Sequence, residues 1–125
     1  MTGVSGSDDP SPELLQQAAA SFGLLASTMR LHIVWVLSQG EADVGTLADR
    51  VGGTLQAVSQ HLAKLKLAGM VSNRREGRRQ VYEVDDPQVA TLVRLMVANL
   101  DADRASAAQT RTVGGELFRF RVSGA

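Results

Sequence analysis

Apolar residues recur every three or four positions along five stretches of the chain, the spacing that places them on one face of an α-helix. The predicted helices begin near residues 13, 28, 44, 55 and 87. Capping and helix-ending residues mark their bounds. Ser11, Ser27 and Thr54 stand before the first, second and fourth helices, and Gly40, the pair 52–53 and Gly69 end the second, third and fourth.

Between the fourth and fifth helices the pattern changes from helical to alternating. Val71 begins an extended stretch, Glu76 and Gly77 mark a turn, and residues 81–84 alternate between two faces. These features predict a two-stranded hairpin. Residues 118–122 also alternate like a strand, but the sequence indicates no pairing partner for them.

The order of these elements divides the chain into three parts. Residues 1–12 are rich in Ser, Asp and Pro, and we interpret them as a flexible leader. Residues 13–100 hold the helices and the hairpin, and we expect them to fold as one domain. Residues 101–125 form a polar C-terminal tail that we expect to be ordered only in part.

Composition excludes several classes of protein. The 125 residues are 44% hydrophobic and 21% charged, ordinary values for one globular domain. Cysteine is absent, which excludes disulfides and thiolate chemistry. No apolar stretch is long enough for a membrane span, and the N-terminus lacks the basic and apolar segments of a secretory signal. We therefore expect a cytoplasmic protein without a membrane partner.

Charge is balanced overall but uneven along the chain. The formal net charge is zero, whereas residues 54–84 carry six cations and two anions, a local charge of +4. A local basic surface on a neutral protein is typical of a site that meets phosphate. An ordinary solvated face is the alternative meaning of such a run.

The fourth predicted helix has one apolar and one polar face. Its apolar residues, which we expect to pack inward, are Leu55, Val58, Leu62 and Leu65. The opposite face is polar and free of acids, so it can enter a major groove and present hydrogen-bonding groups to bases. Gln56 and Gln60 can each contact adenine, and Ala57 a thymine methyl. A solvent-exposed helix explains this face equally well.

The predicted hairpin favours the nucleic-acid alternative. Four arginines, Arg74, Arg75, Arg78 and Arg79, flank its turn. Guanidinium groups on a projecting loop suit phosphate contact or insertion into the minor groove. A solubilising turn needs Gly and polar residues, but it does not need four arginines.

Several segments, in the right order, resemble the ArsR (ArsR/SmtB) family of bacterial winged helix-turn-helix regulators. They are residues 25–33 (LASTMRLHI), 44–48 (VGTLA), 58–65 (VSQHLAKL), 68–71 (AGMV), 75–79 (REGRR) and 81–82 (VY). The resemblance runs from about Leu24 to Asp86. It implies a mainly α fold with a small β-hairpin wing, in which the fourth helix is the recognition helix.

The resemblance also implies a homodimer that pairs through its first and last helices. The candidate interface residues are Leu14, Leu15, Ala18 and Phe22 on the first helix, and Val89, Leu92, Val93, Met96 and Leu100 on the last. A two-fold dimer would place its recognition helices roughly 34 Å apart and bind an inverted repeat. The alternative is that both stripes belong to the protomer's own core.

The expected function is therefore sequence-specific binding of double-stranded DNA to regulate transcription, with repression by blocking polymerase. The candidate DNA-contacting residues are Thr54, Gln56, Ala57, Ser59, Gln60, His61 and Lys64 on the recognition helix, with Arg74, Arg75, Arg78 and Arg79 on the wing. A small-molecule or protein effector is a further expected partner, and the expected location is the nucleoid in the cytoplasm.

Metal sensing, which many relatives perform, does not fit these residues. Thiolate sites are excluded, and the last helix begins with Asp85 and Asp86 but contains no histidine. His61 lies in the recognition-helix signature and His32 next to apolar residues, so neither is an evident ligand. We expect no metal and no cofactor, and keep a metal-responsive repressor with an atypical site as an alternative.

Two further classes of protein stand as alternatives to a DNA-binding regulator. A winged-helix protein-interaction module draws its support from the C-terminal run 118–122, where Phe118 and Phe120 alternate with Arg119 and Arg121. An enzyme would need a convergent set of titratable groups, and no nucleophile, base and orienting acid stand at recognisable spacing. We therefore expect no enzymatic activity.

Overall fold

Five helices and three short strands follow one another in residues 8–109, the part of the chain that the computed structural model describes. The helices are α1 (Pro12–Leu24), α2 (Thr28–Leu37), α3 (Val44–Val51), α4 (Leu55–Leu67) and α5 (Pro87–Gln109). The strands are β1 (Ala42–Asp43), β2 (Val71–Glu76) and β3 (Arg79–Val84). All five predicted helices and the predicted hairpin are present, so the expected fold class is confirmed.

Polar side chains cap the first four helices by accepting a backbone N–H from the first turn. Ser11 Oγ accepts from Leu14 at 3.2 Å, and Thr54 Oγ1 accepts from Ala57 at 3.0 Å. Ser27 caps α2 in the same way, as expected. Asp43 caps α3, which the sequence pattern did not indicate. The caps satisfy N–H groups that the helices themselves leave without partners.

Left-handed glycines end the two helices of the central motif. Gly52 has φ +78° at the C-terminus of α3, and Gly69 has φ +81° just after α4. Residues with a Cβ rarely adopt this conformation, so glycine is the residue type suited to stopping a helix there. The two predicted helix ends are confirmed.

The strands form one antiparallel sheet in the order β1-β3-β2. Glu76 pairs with Arg79, so the hairpin turn is Gly77-Arg78, one residue later than expected. The third strand, β1, pairs Ala42 with Tyr82. Sequence reasoning missed β1 because a two-residue strand is too short to show alternation.

The core is built mainly where α2, α3 and α4 meet. Its largest fully buried side chains from these helices are Ile33, Val34, Leu47, Val58, Leu62 and Leu65. Leu55 was expected inward but is 59% exposed. It is the first residue of α4, one turn before the buried stripe that starts at Val58, so it projects beyond the core.

The last helix does not end at Leu100, the expected boundary of the domain, but continues without a break to Gln109. Ala102, Ala105, Ala107 and Ala108 are strong helix formers, so the small residues of this segment extend the helix. The alternating run 118–122 and most of the expected leader lie outside the described residues.

The helices of residues 8–109 each fall short of a membrane span. No single helix there is both long and apolar enough to cross a bilayer. The pair α1 and α2 would meet the criteria of length and composition together, but the two helices meet at a bend of 92°.

Two leucines on α4 give a matched test of this core. Leu62→Ala removes a fully buried side chain and should lower the free energy of unfolding by about 2–5 kcal/mol. Leu67→Ala removes the same atoms from a position that is 91% exposed and should change it by less than about 0.5 kcal/mol. Chemical denaturation measures both, and equal losses would contradict the assigned facing of α4.

Candidate nucleic-acid interface

Gly53, in the turn between α3 and α4, lies close to side chains of α2 and α4. A Cβ on Gly53 would lie 2.9 Å from Met29 Cε and 3.3 Å from Val58 Cγ2. A larger residue would have to displace the flexible end of the Met29 side chain and would press on Val58. Together with the left-handed Gly52, this close approach sets the direction in which α4 leaves the turn.

Burial of one stripe of α4 turns its polar stripe to solvent. Gln56, Ser59, Gln60 and Lys64 are exposed, whereas Ala57 and His61 are partly buried. The first turn of α4 contains no acid, and its last turn contains Lys64 and Lys66. Thr54 Oγ1 accepts the Ala57 N–H as the cap, so this hydroxyl has its own hydrogen free to donate.

The four wing arginines are not equivalent. Arg74 donates to both carboxylate oxygens of Glu41, at 2.9 and 2.6 Å, and also to Glu76. Arg79 Nε donates to Asp43 Oδ2 at 2.8 Å. Arg74 and Arg79 are thus largely neutralised within the protomer. The local charge of +4 expected from residues 54–84 left out Glu41 and Asp43, which lie earlier in the chain.

Arg75 and Arg78 remain available at the tip of the hairpin. Arg75 Nε donates to the Gly77 carbonyl at 3.2 Å, which leaves its other donors free. Arg78 is exposed and has no hydrogen-bond or ion-pair partner among residues 8–109. These two guanidinium groups therefore carry the uncompensated positive charge of the wing.

Asp43 joins the sheet to the first helix of the motif. Its Oδ1 accepts the Thr46 N–H at 2.8 Å, and its Oδ2 faces Arg79. The Thr46 hydrogen bonds, followed by that of Arg79, lower the pKa of Asp43 to about 2. The hydrogen bond from Arg74 likewise lowers the pKa of Glu41. Both acids stay ionised near neutral pH and hold their arginines.

A side chain of α2 contacts the imidazole of His61 on α4. Arg30 Nη1 lies 3.1 Å from His61 Nδ1, and Arg30 Nε donates to the Leu24 carbonyl at 2.8 Å. Burial, then the charges of Arg30 and Lys64, lower the pKa of His61. The imidazole is therefore neutral at physiological pH. Sequence reasoning placed His61 in the site but did not indicate its partner.

The stripe expected to form a dimer interface divides into two groups. On α1, Leu14, Leu15, Ala18 and Phe22 are all exposed, and the helix buries none of its residues. On α5, Leu92, Met96 and Leu100 are exposed, and so is Leu95, which the sequence reading missed. Val93 is only 2% exposed and Val89 packs partly against the same core. These two residues serve the protomer's own core, because they face inward toward the other helices.

An apolar groove of about 350 Å³ separates the outer face of α2 from α5. It is lined by Thr28, Leu31, His32, Trp35 and Val97. His32 is therefore a groove residue. Within residues 8–109, no three His, Asp or Glu side chains come close enough together to hold a metal ion.

A helix, a glycine turn and a second helix, followed by a β-hairpin that packs beside them, make up a winged helix-turn-helix. The family model described as "Bacterial regulatory protein, arsR family" matches residues 27–73. The match covers α2, α3, α4 and the start of β2, which are the elements that form the motif.

Relatives in Mycobacterium tuberculosis extend this match. The HTH-type transcriptional regulator NmtR is 39% identical, over 73% of this chain and 79% of its own. The regulator KmtR is 40% identical over 58% of this chain. The chain spans little more than half the length of KmtR and of the regulator Rv0324, at 55% and 58%.

A solved structure is similar to this chain in both fold and sequence. The homodimeric winged helix-turn-helix DNA-binding domain of Mb0332 from Mycobacterium bovis superposes with a TM-score of 0.65. It is 36% identical, and the alignment covers 83% of this chain and 94% of that domain. The chain belongs to the ArsR family of bacterial regulatory proteins.

The lowered pKa of His61 predicts how stability depends on pH. The unfolded chain takes up a proton at His61 below about pH 6.5, whereas the folded protein does so only at lower pH. The free energy of unfolding should therefore fall as pH drops from 6.5 toward the folded pKa. His61→Gln cannot take up this proton and should show a shallower decline, measured by urea denaturation across the window. Parallel curves would contradict the assignment.

Proposed function

We propose that this protein is a sequence-specific DNA-binding regulator of transcription that represses by occupying an inverted repeat as a homodimer. The observation that carries the proposal is the acid-free outer face of α4, exposed beside two uncompensated wing arginines. Membership of the ArsR family supports the same function. Binding of the dimer over a promoter would block polymerase sterically.

In this proposal α4 enters the major groove and reads base edges. Gln56 and Gln60 lie one turn apart on its exposed face and offer amide groups that pair bidentately with adenine. Ser59 lies between them and is small enough to contact a base or a phosphate. Thr54 and Lys64 lie at opposite ends of the helix, where phosphate contact is the natural role.

The wing contributes charge rather than base preference. Arg75 and Arg78 are free to bind phosphate or to enter the minor groove. Arg74 already donates to carboxylates through Nε and both Nη groups, whereas Arg79 donates only through Nε and keeps Nη1 and Nη2 available while it pairs with Asp43. The charges of both arginines are offset by these carboxylates. We therefore propose that Arg78, at the tip, contributes most to nonspecific affinity among the four.

Dimerisation through α1 and α5 accounts for the exposed apolar side chains of both helices. A soluble monomer rarely leaves a continuous apolar face of this kind in water. The homodimeric state of the Mb0332 domain supports this assembly. The proposed interface residues are Leu14, Leu15, Ala18, Phe22, Leu92, Leu95, Met96 and Leu100.

We further propose that the effector of this protein is not a metal ion bound by thiolates. A relative in Streptomyces lividans, 37% identical over 71% of this chain, is named a probable mercury resistance operon repressor. Soft metal ions of that kind select thiolate ligands, and this chain has no cysteine. We propose that an organic or protein effector replaces the metal here. The site of action is the nucleoid, in the cytoplasm, where the DNA is.

Selection of sequences from a random pool tests the DNA-binding function. The purified protein should enrich an inverted repeat, and affinity should fall steeply with salt. Absence of enrichment at low salt would overturn the proposal, and the protein-interaction module would then become the leading alternative.

Two substitutions separate base contact from phosphate contact. Gln60→Ala should cost about 1–3 kcal/mol in each half-site and relax the preference at one base pair of each half-site. Arg78→Ala should weaken binding to all sequences alike and reduce the salt slope of the dimer by about two, one phosphate contact in each protomer. Titrations against selected and scrambled DNA measure both effects. Unchanged specificity in Gln60→Ala would show that α4 is oriented differently in the groove.

The dimer interface can be tested without DNA. Phe22→Asp places a charge on the exposed face of α1, where the side chain is 59% exposed in the protomer, and should convert the dimer to a monomer. Leu67→Asp places the same charge on an exposed leucine of α4 and should leave the dimer intact. Sedimentation velocity distinguishes the two states. A dimeric Phe22→Asp variant would exclude α1 from the interface.

A further inference from the structure

We propose that Arg30 is a positioning residue for operator binding, which acts through His61 and ties the recognition helix to the end of the dimerisation helix. This inference rests on the proposed function. Arg30 lies in the first turn of α2 and is partly buried, so we assign it no contact with DNA.

The geometry shows one side chain joining two helices. Arg30 Nε donates to the carbonyl of Leu24, the last residue of α1, at 2.8 Å. Arg30 Nη1 lies 3.1 Å from Nδ1 of His61, in the middle of α4. Because the guanidinium is planar and rigid, these two contacts hold the end of α1 and the side of α4 at a set separation.

The same contact determines the tautomer of His61. A guanidinium has only donors, so Nδ1 must be the unprotonated nitrogen and the ring proton lies on Nε2. The imidazole then has one remaining polar group, an Nε2–H donor. His61 is partly exposed on the recognition helix, so this donor is suited to a phosphate or base acceptor.

The charged groups around His61 favour the same neutral state. Arg30 faces it from α2 and Lys64 from α4. Protonation of Nδ1 would remove the acceptor for Arg30 and place two cations in contact. The orientation of the His61 ring therefore depends on Arg30, and the same side chain links α4 to the end of α1.

Lysine cannot replace arginine in this role. An ammonium group is a single point on a flexible stem, whereas Arg30 reaches its two acceptors through two nitrogens of one fork. Arg30→Lys keeps the positive charge and should still lose the bridge. This variant separates the effect of geometry from the effect of charge.

The first experiment measures the contact itself in the 125-residue chain without DNA. Nitrogen-15 NMR of the imidazole should show unprotonated Nδ1 and protonated Nε2 in the wild type. Arg30→Ala should raise the pKa of His61, because a neighbouring cation is removed, and should allow both tautomers. Mixed tautomers in the wild type would overturn the inference.

The second experiment is a double-mutant cycle on affinity for the selected inverted repeat. Arg30→Ala and Arg30→Lys should each weaken binding about tenfold, the loss expected for a hydrogen bond of a charged group. In a His61→Ala background, Arg30→Ala should have little further effect, because its partner is gone. Arg50→Ala, which removes an exposed guanidinium from α3 outside the residues assigned to either proposed interface, is the control and should bind like the wild type.

The two experiments distinguish a failure of this inference from a failure of the proposed function. If the wild type binds no DNA selectively, the proposed function fails and the inference fails with it. If the wild type binds and Arg30→Lys binds equally well, or if the losses in the cycle simply add, the inference alone is overturned. Thermal unfolding identifies folded variants, and Arg30→Lys decides the matter if Arg30→Ala does not fold.

Discussion

The structure depends on the burial of one stripe of α4 against α2. Val58, Leu62 and Leu65 are fully buried there, and Ile33 and Val34 of α2 are buried with them. A helix rotated about its axis would expose these side chains to water, so their burial determines which face of α4 points outward. Burial of the leucines on one face of α4 therefore leaves Gln56 and Gln60 on its exposed face.

Electrostatic pairing within the protomer concentrates the charge of the wing at its tip. Glu41 and Asp43 come from the segment before α3, and β1 brings this segment beside β3. Their carboxylates pair with Arg74 and Arg79, so these two arginines connect the hairpin to the segment before α3. Arg75 uses one donor on the Gly77 carbonyl, and Arg78 has no partner among residues 8–109, so neither guanidinium is offset by a carboxylate. The sequence suggests that all four wing arginines contribute equally to a basic surface. In the structure the uncompensated charge is confined to the tip of the hairpin, and the rest of the wing is nearly neutral.

Prediction from sequence succeeded where the signal is local. Ser11, Ser27 and Thr54 cap helices by contacts three residues away, and Gly52 and Gly69 end helices through their own backbone dihedral angles. It failed where a residue's environment comes from elsewhere in the chain. Leu55 has an apolar side chain in a helical stripe, yet it lies beyond the core. Val93 belongs to the outward-looking stripe of α5 by spacing, yet it packs inside the protomer.

The sequence by itself determined the order of helices, the hairpin and the family, because periodicity, caps and motifs are properties of neighbouring residues. Only the tertiary structure decided which arginines are free, which apolar residues remain for a partner, and what holds His61. Those answers depend on contacts between residues 31 to 36 positions apart, such as Arg30 with His61 and Asp43 with Arg79. Charge and hydrogen bonding act through space, and their pairing is set only when the chain has folded.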